Sequence, residues 1–461
     1  PHLGASTEES EDNCAKMAAS ELRDFLENGN IHHSVNYPDC DMGVKSSAAR
    51  VTVLHRNVPK MLGQFTGIMA EQGINISLMT NKSRKEYAYM MMDVDAEVPA
   101  EVEEKIAALE GGVGALCTTS GQAATLISVL NICVAGDHLV AASTIYGGTV
   151  NLFAVTLKKF GIECTFVNAD DDEETIQKAF RPNTKLLFGE TIANPAIAVL
   201  DIEKFARIAH SNGVPLIVDN TFATPVLCRP FEWGADIVIH STTKYMDGHA
   251  VQVGGVVVDS GNFDWTNGKF PELCEPDESY HGVTYTKQFG RAAYITKARV
   301  QLMRDFGMYP PATAAFILNL GLETLAVRME RYCRNAEAVA DFLAASDKVE
   351  FVNYPTVKGN PYAALREKYL PKGASGVISF SVKGGRDDAV RFMDSLSLAN
   401  NVVHVADICT CVLHPASSTH RQLTDEQLVA AGITPGLIRL SVGLEHIDDI
   451  LADIQKGLDA I

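Results

Sequence analysis

The chain has 461 residues, 46% of them hydrophobic, enough for about three domains with sizeable cores. Its formal charge of −18 comes without a basic block, which excludes nucleic acid and anionic membranes as expected partners. Ten cysteines are scattered without a CxxC pair, the pattern of a reduced cytosol, and no metal site is expected.

No apolar run is expected to span a membrane and no signal peptide is evident, so a cytoplasmic location is expected. Residues 51–110 read as strand, helix, strand, strand, helix. Val51-Thr-Val-Leu alternates, and Val58 to Gln72 is amphipathic and stops at Gly73. Ile74 to Met79 and Tyr87 to Met92 follow as strands, with Lys82 to Glu86 as a charged hairpin turn. Pro99 to Leu109 reads as a helix with proline near its start.

Chemistry-bearing motifs begin after Gly111. Thr118-Thr-Ser-Gly121-Gln122 opens a helix directly after a strand, where free N–H groups and the helix dipole converge on an anion. Tyr146-Gly-Gly sets an aromatic ring beside permissive backbone. Pro215 to Asn220 is a buried parallel-strand pattern ending in Asp219. Ligands in α/β sheets lie beyond such strand ends. A carboxylate there can hold a proton on a ring nitrogen and make the ring an electron sink. In Ile237-Val-Ile-His-Ser241-Thr-Thr243-Lys244 the hydroxyls of Ser241 and Thr243 can face one way, with Lys244 closing an apolar run. A lysine at a buried strand end is unusual unless paired or used covalently. An amine that condenses with a carbonyl cofactor needs such a desolvated place.

Residues 313–344 carry helical periodicity with a charged face of Arg328, Glu330, Arg331 and Arg334. Gly376 to Val382, Val402 to Leu413 and Leu437 to Val442 read as strands of a smaller domain. Within the second of these, Cys409 and Cys411 are expected to share one face as small core residues. His249, His414 and His420 are expected to be structural or surface residues.

From Gly111 to Ile461 the chain resembles the Cys/Met-metabolism family of pyridoxal phosphate (PLP) enzymes. The resemblance rests on Ala108-Leu-Glu-Gly-Gly-Val-Gly-Ala, Ser120-Gly-Gln-Ala-Ala, Glu190-Thr-Ile-Ala-Asn194-Pro and Val218-Asp-Asn-Thr-Phe-Ala-Thr-Pro. It continues through Glu275-Pro-Asp-Glu-Ser-Tyr-His-Gly, His414-Pro-Ala-Ser and Ile438-Arg-Leu-Ser-Val-Gly-Leu-Glu. It implies an α/β chain with an aspartate-aminotransferase-like (type I) fold, a mostly parallel sheet and a smaller C-terminal α/β domain. It also implies roles. Lys244 would bind the cofactor covalently and shuttle protons, with Tyr146 stacking on the ring and helping. Asp219 would hold the ring nitrogen and Asn194 the ring hydroxyl. Gly121, Gln122, Ser241 and Thr243 would hold the phosphate, and Arg439 the substrate carboxylate. Glu190 lies in a family motif without an evident role. His404 stands where relatives carry a smaller polar residue, and Gly148 where methionine γ-lyases carry cysteine.

Residues 44–110 resemble an ACT domain, the ferredoxin-like βαββαβ sensor of amino acids. His55-Arg-Asn57-Val-Pro and Gly73-Ile-Asn75-Ile resemble the effector site of phosphoglycerate dehydrogenases, which implies His55, Asn57 and Asn75 as serine contacts. Pro1-His2-Leu-Gly-Ala-Ser and Asn30-Ile-His-His-Ser-Val-Asn resemble the tail of the same dehydrogenases, with His2 idle for want of a dinucleotide motif. The expected layout is a dehydrogenase tail over 1–43, an ACT domain lacking its last strand over 44–110, a PLP-binding domain over 111–305 and a small domain over 306–461. The join leaves out the family's Tyr-x-Arg segment, which reaches a neighbour's phosphate. Its loss is expected to weaken PLP binding by about two to four orders of magnitude.

The leading expectation is a sulfhydrylase-type transferase that acts on an acetylated amino acid and sulfide to give homocysteine, as a homo-oligomer, dimer or tetramer. A methionine γ-lyase or cystathionine γ-synthase type enzyme is the alternative on the same scaffold. A non-catalytic hybrid with an amino-acid-binding ACT domain is the alternative of another class.

Overall fold

A computed structural model describes residues 8–47, 49–63, 65–66, 75–95, 100–418 and 434–461. His2, residues 64 and 67–72 of the helix expected over 58–72, Gly73, Ile74, Pro99 and His420 lie outside them. The chain divides into two units, Pro1–Glu101 and Val102–Ile461.

The first unit holds a helix, Glu8–Asn28, that the sequence reading did not foresee, and a three-stranded antiparallel sheet. Its strands are β1 (Ala49–Arg56), β2 (Ile76–Arg84) and β3 (Tyr87–Val94), in the order β1-β3-β2. Alternation on β3 feeds two small cores. Tyr89 and Met91 pack with Ile31 and Cys40, while Met90, Met92 and Val94 pack with Val51, Val53, Phe65 and Ile76. The hairpin is tighter than expected: β2 runs on to Arg84, and only Lys85 and Glu86 form the turn. Lys85 takes a positive φ of 57°, which suits the twist of a two-residue connection. The Arg50 guanidinium meets Asp93 at 2.5 Å with both side chains buried, and also donates to the Gly43 and Asn28 carbonyls. That pairing holds the Asp93 carboxyl below its usual range and fastens the 28–43 segment to the sheet.

The second unit is built on a seven-stranded sheet. Its strands are β4 (Gly114–Thr118), β5 (His138–Ala142), β6 (Glu163–Val167), β7 (Thr184–Glu190), β8 (Leu216–Asp219), β9 (Ile237–His240) and β10 (Gly255–Asp259). The order is β4-β10-β9-β8-β7-β5-β6, parallel except where β10 runs against β4 and β9. Strands such as Leu186-Leu-Phe and Leu216-Ile-Val are buried on both faces, as helix-covered parallel sheets require. The carboxyl ends of β4, β9, β8, β7 and β5 therefore lie along one edge, where α/β sheets bind ligands.

A second sheet is formed by β11 (Val349–Asn353), β12 (Val377–Val382), β13 (Asn400–Asn401), β14 (Cys411–Leu413) and β15 (Leu437–Ser441), ordered β11-β12-β15-β14-β13. The strand expected over Val402–Leu413 is mostly loop: only its last three residues pair as β14. Cys411 is buried but Cys409 is exposed, so the two thiols do not share a face.

Helix Ala312–Ala344 is, by length and hydropathy, long and apolar enough to cross a membrane, contrary to expectation. Its C-terminal half packs Met329, Tyr332, Ala336, Val339 and Leu343 into the interior, as a core helix does. Arg328 departs from the expected charged face. It is buried, and its guanidinium donates to the carbonyls of Tyr245 (2.7 Å), Met246 (3.4 Å) and Gly321 (2.7 Å).

Candidate active site

The seat at the end of β4 follows from capping. Ser120 is extended, and its Oγ accepts the Ala123 N–H at 3.0 Å. The N–H groups of Gly121 and Gln122 remain at the mouth of helix Gly121–Leu130, whose dipole favours an anion. Gly121 is required there: a Cβ would lie 2.6 Å from that of Ser241. Ser241 enters from the end of β9, fixed by its N–H to Thr221 Oγ1 at 2.8 Å, and its own hydroxyl makes no hydrogen bond among the described residues. Thr243 is placed differently from expectation. Its hydroxyl accepts the Gly254 N–H at 3.0 Å and donates to the Gly254 carbonyl at 3.2 Å, which ties it to the next strand.

Asp219 ends β8. Its Oδ1 accepts from the Thr221 N–H at 3.0 Å and hydroxyl at 2.5 Å, while Oδ2 makes no hydrogen bond among the described residues. Burial raises this carboxyl above its usual range. Among the described residues, Asn194 Oδ1 beyond β7 is buried without a partner, as is Gln122 Oε1 in helix Gly121–Leu130. The Tyr146 ring is 50% exposed, and its main-chain N–H donates to the buried Glu190 Oε2 at 2.7 Å.

Lys244 leaves β9 in a turn closed by the Gly248 N–H on its carbonyl at 2.7 Å. Arg328 grips the next two carbonyls from below, and Gly248, at φ 75°, has no room for a Cβ against that guanidinium. The Lys244 amine forms no ion pair among the described residues. Burial first, and the Arg439 charge second, lower it to about 8. Arg439 comes from β15. It is buried, donates to the carbonyls of Val403 (2.7 Å) and His404 (3.2 Å), and keeps Nε without a partner among the described residues. Burial lowers it to about 10. The loop misread as strand thus serves the arginine.

Beneath the strand ends lies a support that the sequence reading missed. Glu110 Oε1 and His240 Nε2 share a 2.6 Å hydrogen bond with both side chains fully buried. Asn220 joins it by donating to Glu110 at 3.0 Å and accepting from Thr191 at 2.8 Å. The chain links β7, β8 and β9 to the helix Ala100–Glu110. A polar pair at one spacing is invisible in a sequence when its partners lie 130 positions apart.

The three residues expected as serine contacts, His55, Asn57 and Asn75, do not converge. His55 bonds Asn81 at 2.9 Å, and Asn57 reaches the Lys85 carbonyl at 3.3 Å, both near the β2–β3 turn. Asn75 sits at the other end of β2, by Asp95. His55 faces Ala88 and Asn75 faces Asp95, seven residues further along the chain, about 23 Å. One small amino acid cannot touch all three within one chain.

Lys244 and Arg439, without ion-pair partners among the described residues, suit an anionic occupant, and a planar, phosphate-bearing ring fits beside Asp219 Oδ2, Tyr146 and the tight cradle at Gly121. Pyridoxal phosphate has that shape and an aldehyde for Lys244, so the fold and the site define a PLP-dependent enzyme of the type I fold. The chain belongs to the Cys/Met metabolism PLP-dependent enzymes, whose family profile matches residues 69–459. It is 47% identical over 365 residues to the O-acetyl-L-homoserine sulfhydrylase of Corynebacterium glutamicum, covering 78% of this chain and 83% of that one. It is 45% identical to the homocysteine synthase of Schizosaccharomyces pombe, covering 80% and 86%. Among solved structures, a Campylobacter jejuni protein carrying N'-pyridoxyl-lysine-5'-monophosphate aligns with a TM-score of 0.76 at 36% identity, covering 80% of this chain and 88% of that one. The O-acetylhomoserine sulfhydrylase of Wolinella succinogenes aligns with a TM-score of 0.68 at 32% identity, covering 78% and 96%.

Proposed function

We propose that the chain is an O-acetylhomoserine sulfhydrylase: it replaces the acetate of O-acetylhomoserine by sulfide and yields homocysteine. The carrying observation is the juxtaposition of half-buried Lys244 and buried Arg439, two cations without ion-pair partners among the described residues, in a chain 47% identical to such an enzyme. Bound PLP supplies an electron sink for the pair released at the α-carbon. Gly121, Gln122 and Ser241 would hold its phosphate, Asp219 its ring nitrogen, Asn194 its ring hydroxyl and Tyr146 its face. Thr243 would contribute to the phosphate by turning its O–H away from the Gly254 carbonyl. Arg439 grips the substrate carboxylate and so aims the α-hydrogen at Lys244 Nζ. Lys244 takes that proton and returns protons along the chain of the substrate. The Cγ–O bond breaks to release acetate, and sulfide forms the Cγ–S bond. The Tyr146 hydroxyl, held over the same pocket, assists the transfers.

Purified protein given PLP, O-acetylhomoserine and sulfide should form homocysteine and acetate in equal amounts. Formation of 2-oxobutyrate without sulfide, the lyase outcome, would overturn the reading. Gly148 favours the transferase: a side chain there would meet the Gln122 amide at 2.5 Å and displace it.

Arg439→Lys should raise KM for O-acetylhomoserine about 10- to 100-fold with a smaller change in kcat, because one ammonium cannot replace a bidentate fork. Initial rates across substrate concentration check this, and an unchanged KM removes Arg439 from the carboxylate.

We read residues 44–110 as an ACT-like domain without its final strand, supported by the β1-β3-β2 order, in which β1 has one edge unpaired among the described residues. A homo-oligomer, dimer or tetramer, is supported by exposed Phe316, Leu320 and Val327, which share one face of helix Ala312–Ala344. Ten free cysteines fit a cytoplasmic setting.

A further inference from the structure

Glu190 belongs to a sequence motif whose chemistry the residue roles above leave unused. It ends β7 in register with Asp219 at the end of β8. Registered partners on parallel strands point to the same face, about 4.8 Å apart. Glu190 is buried and Asp219 half-buried, and no cationic side chain pairs with Glu190 among the described residues. The small space beside it is closed by Thr144, Asp170 and Tyr362, with the Tyr362 hydroxyl turned to Asp170 at 2.8 Å. Among the described residues its one hydrogen bond is the Tyr146 N–H on Oε2 at 2.7 Å. Tyr146 is the N-cap of helix Gly147–Asn151, and its own side chain makes no capping hydrogen bond.

We propose that Glu190 is a positioning residue that keeps its proton: the neutral carboxyl anchors the main chain of Tyr146 and leaves Asp219 the sole negative charge at the ring-nitrogen end. The inference rests on the PLP reading of the site. Two ionised carboxylates at this spacing would repel in a buried place, so one of them stays protonated. Burial, and then the Asp219 charge, push Glu190 well above the usual carboxylate range. A neutral Glu190 still accepts from Tyr146 through Oε2, so geometry and charge separate cleanly between the two residues.

Two substitutions test this. Glu190→Gln keeps a neutral acceptor, and Glu190→Ala removes it. In PLP-free protein at neutral pH, infrared difference spectra between the wild type and Glu190→Gln should show the loss of one protonated carboxylic acid. Hydrogen exchange at the Tyr146 amide should be unchanged in Glu190→Gln and about 3- to 10-fold faster in Glu190→Ala. With PLP, Glu190→Gln should retain kcat within about three-fold, whereas Glu190→Ala should lose about ten-fold with little change in KM. A carboxylate rather than an acid lost in the infrared, or equal exchange in both variants, overturns the proposal. An inactive wild type would instead overturn the sulfhydrylase reading, since the PLP-free measurements do not depend on turnover.

Discussion

Lys244→Ala is expected to abolish turnover, by at least about 10⁴-fold, and to remove the visible band of covalently held PLP. Two losses combine. On the proposed reading the amine is the site's covalent hold on the aldehyde and also the acid–base group for the α-proton, a role worth about 10²- to 10⁴-fold by itself. The structure adds a pH signature. Burial and Arg439 disfavour the charged form and bring Lys244 to about 8, well below an ordinary lysine. The neutral, nucleophilic fraction therefore grows as pH rises through that value and then levels off. The rate of PLP capture by the cofactor-free protein should follow the same curve. A rate still climbing through pH 9 to 10 would mean an unperturbed lysine and a different electrostatic setting. A variant that keeps the band would place the covalent bond elsewhere, and buried Lys297, also lowered to about 8, is the first alternative to examine.

What the sequence made legible has a common physical basis. Asp219, Ser241 and Lys244 each end an apolar strand run, and Gly121 follows a strand and starts a helix. Strand ends of a parallel sheet converge, so linear order translates into a shared site. Helix Ala312–Ala344 and strand β12 were likewise plain from period and length. The failures occur where tertiary partners decide. Arg328 lies among surface-type charges, yet three carbonyls of the Lys244 turn and its own helix draw it inside. Residues 402–410 have strand composition but are pulled out of the sheet to present carbonyls to Arg439. Thr243 shares a period with Ser241, but Gly254 claims its hydroxyl. His55 and Asn75 were linked by likeness, and antiparallel pairing sends them to opposite ends of a sheet. Neither helix Glu8–Asn28 nor the Glu110–His240 pair left a local pattern by which to find its partners.

Asp219→Asn is the second large effect, and it separates electron withdrawal from binding. Thr221 commits Oδ1 twice, at 3.0 and 2.5 Å, which orients the carboxyl and presents Oδ2 outward. Asparagine preserves this shape, but it offers no charge to keep a ring nitrogen protonated. Lys244 and the Gly121–Ser241 cradle are untouched, so the variant should still capture PLP. Its kcat should nevertheless fall about 10²- to 10³-fold, the scale on which preorganised charge acts in a desolvated site. Affinity for PLP should drop less, since a single charge-assisted contact is worth about 1.5–3 kcal/mol. The variant also reads the neighbouring strand. Part of the upward push on Glu190 comes from the Asp219 charge, so removing that charge should bring Glu190 down while burial still holds it raised. Single-turnover rates, PLP titration and the infrared acid signal measure these three effects separately. A kcat within about three-fold of the wild type would show that Asp219 only shapes the pocket, because a purely steric residue would not register the exchange of oxygen for nitrogen on this scale.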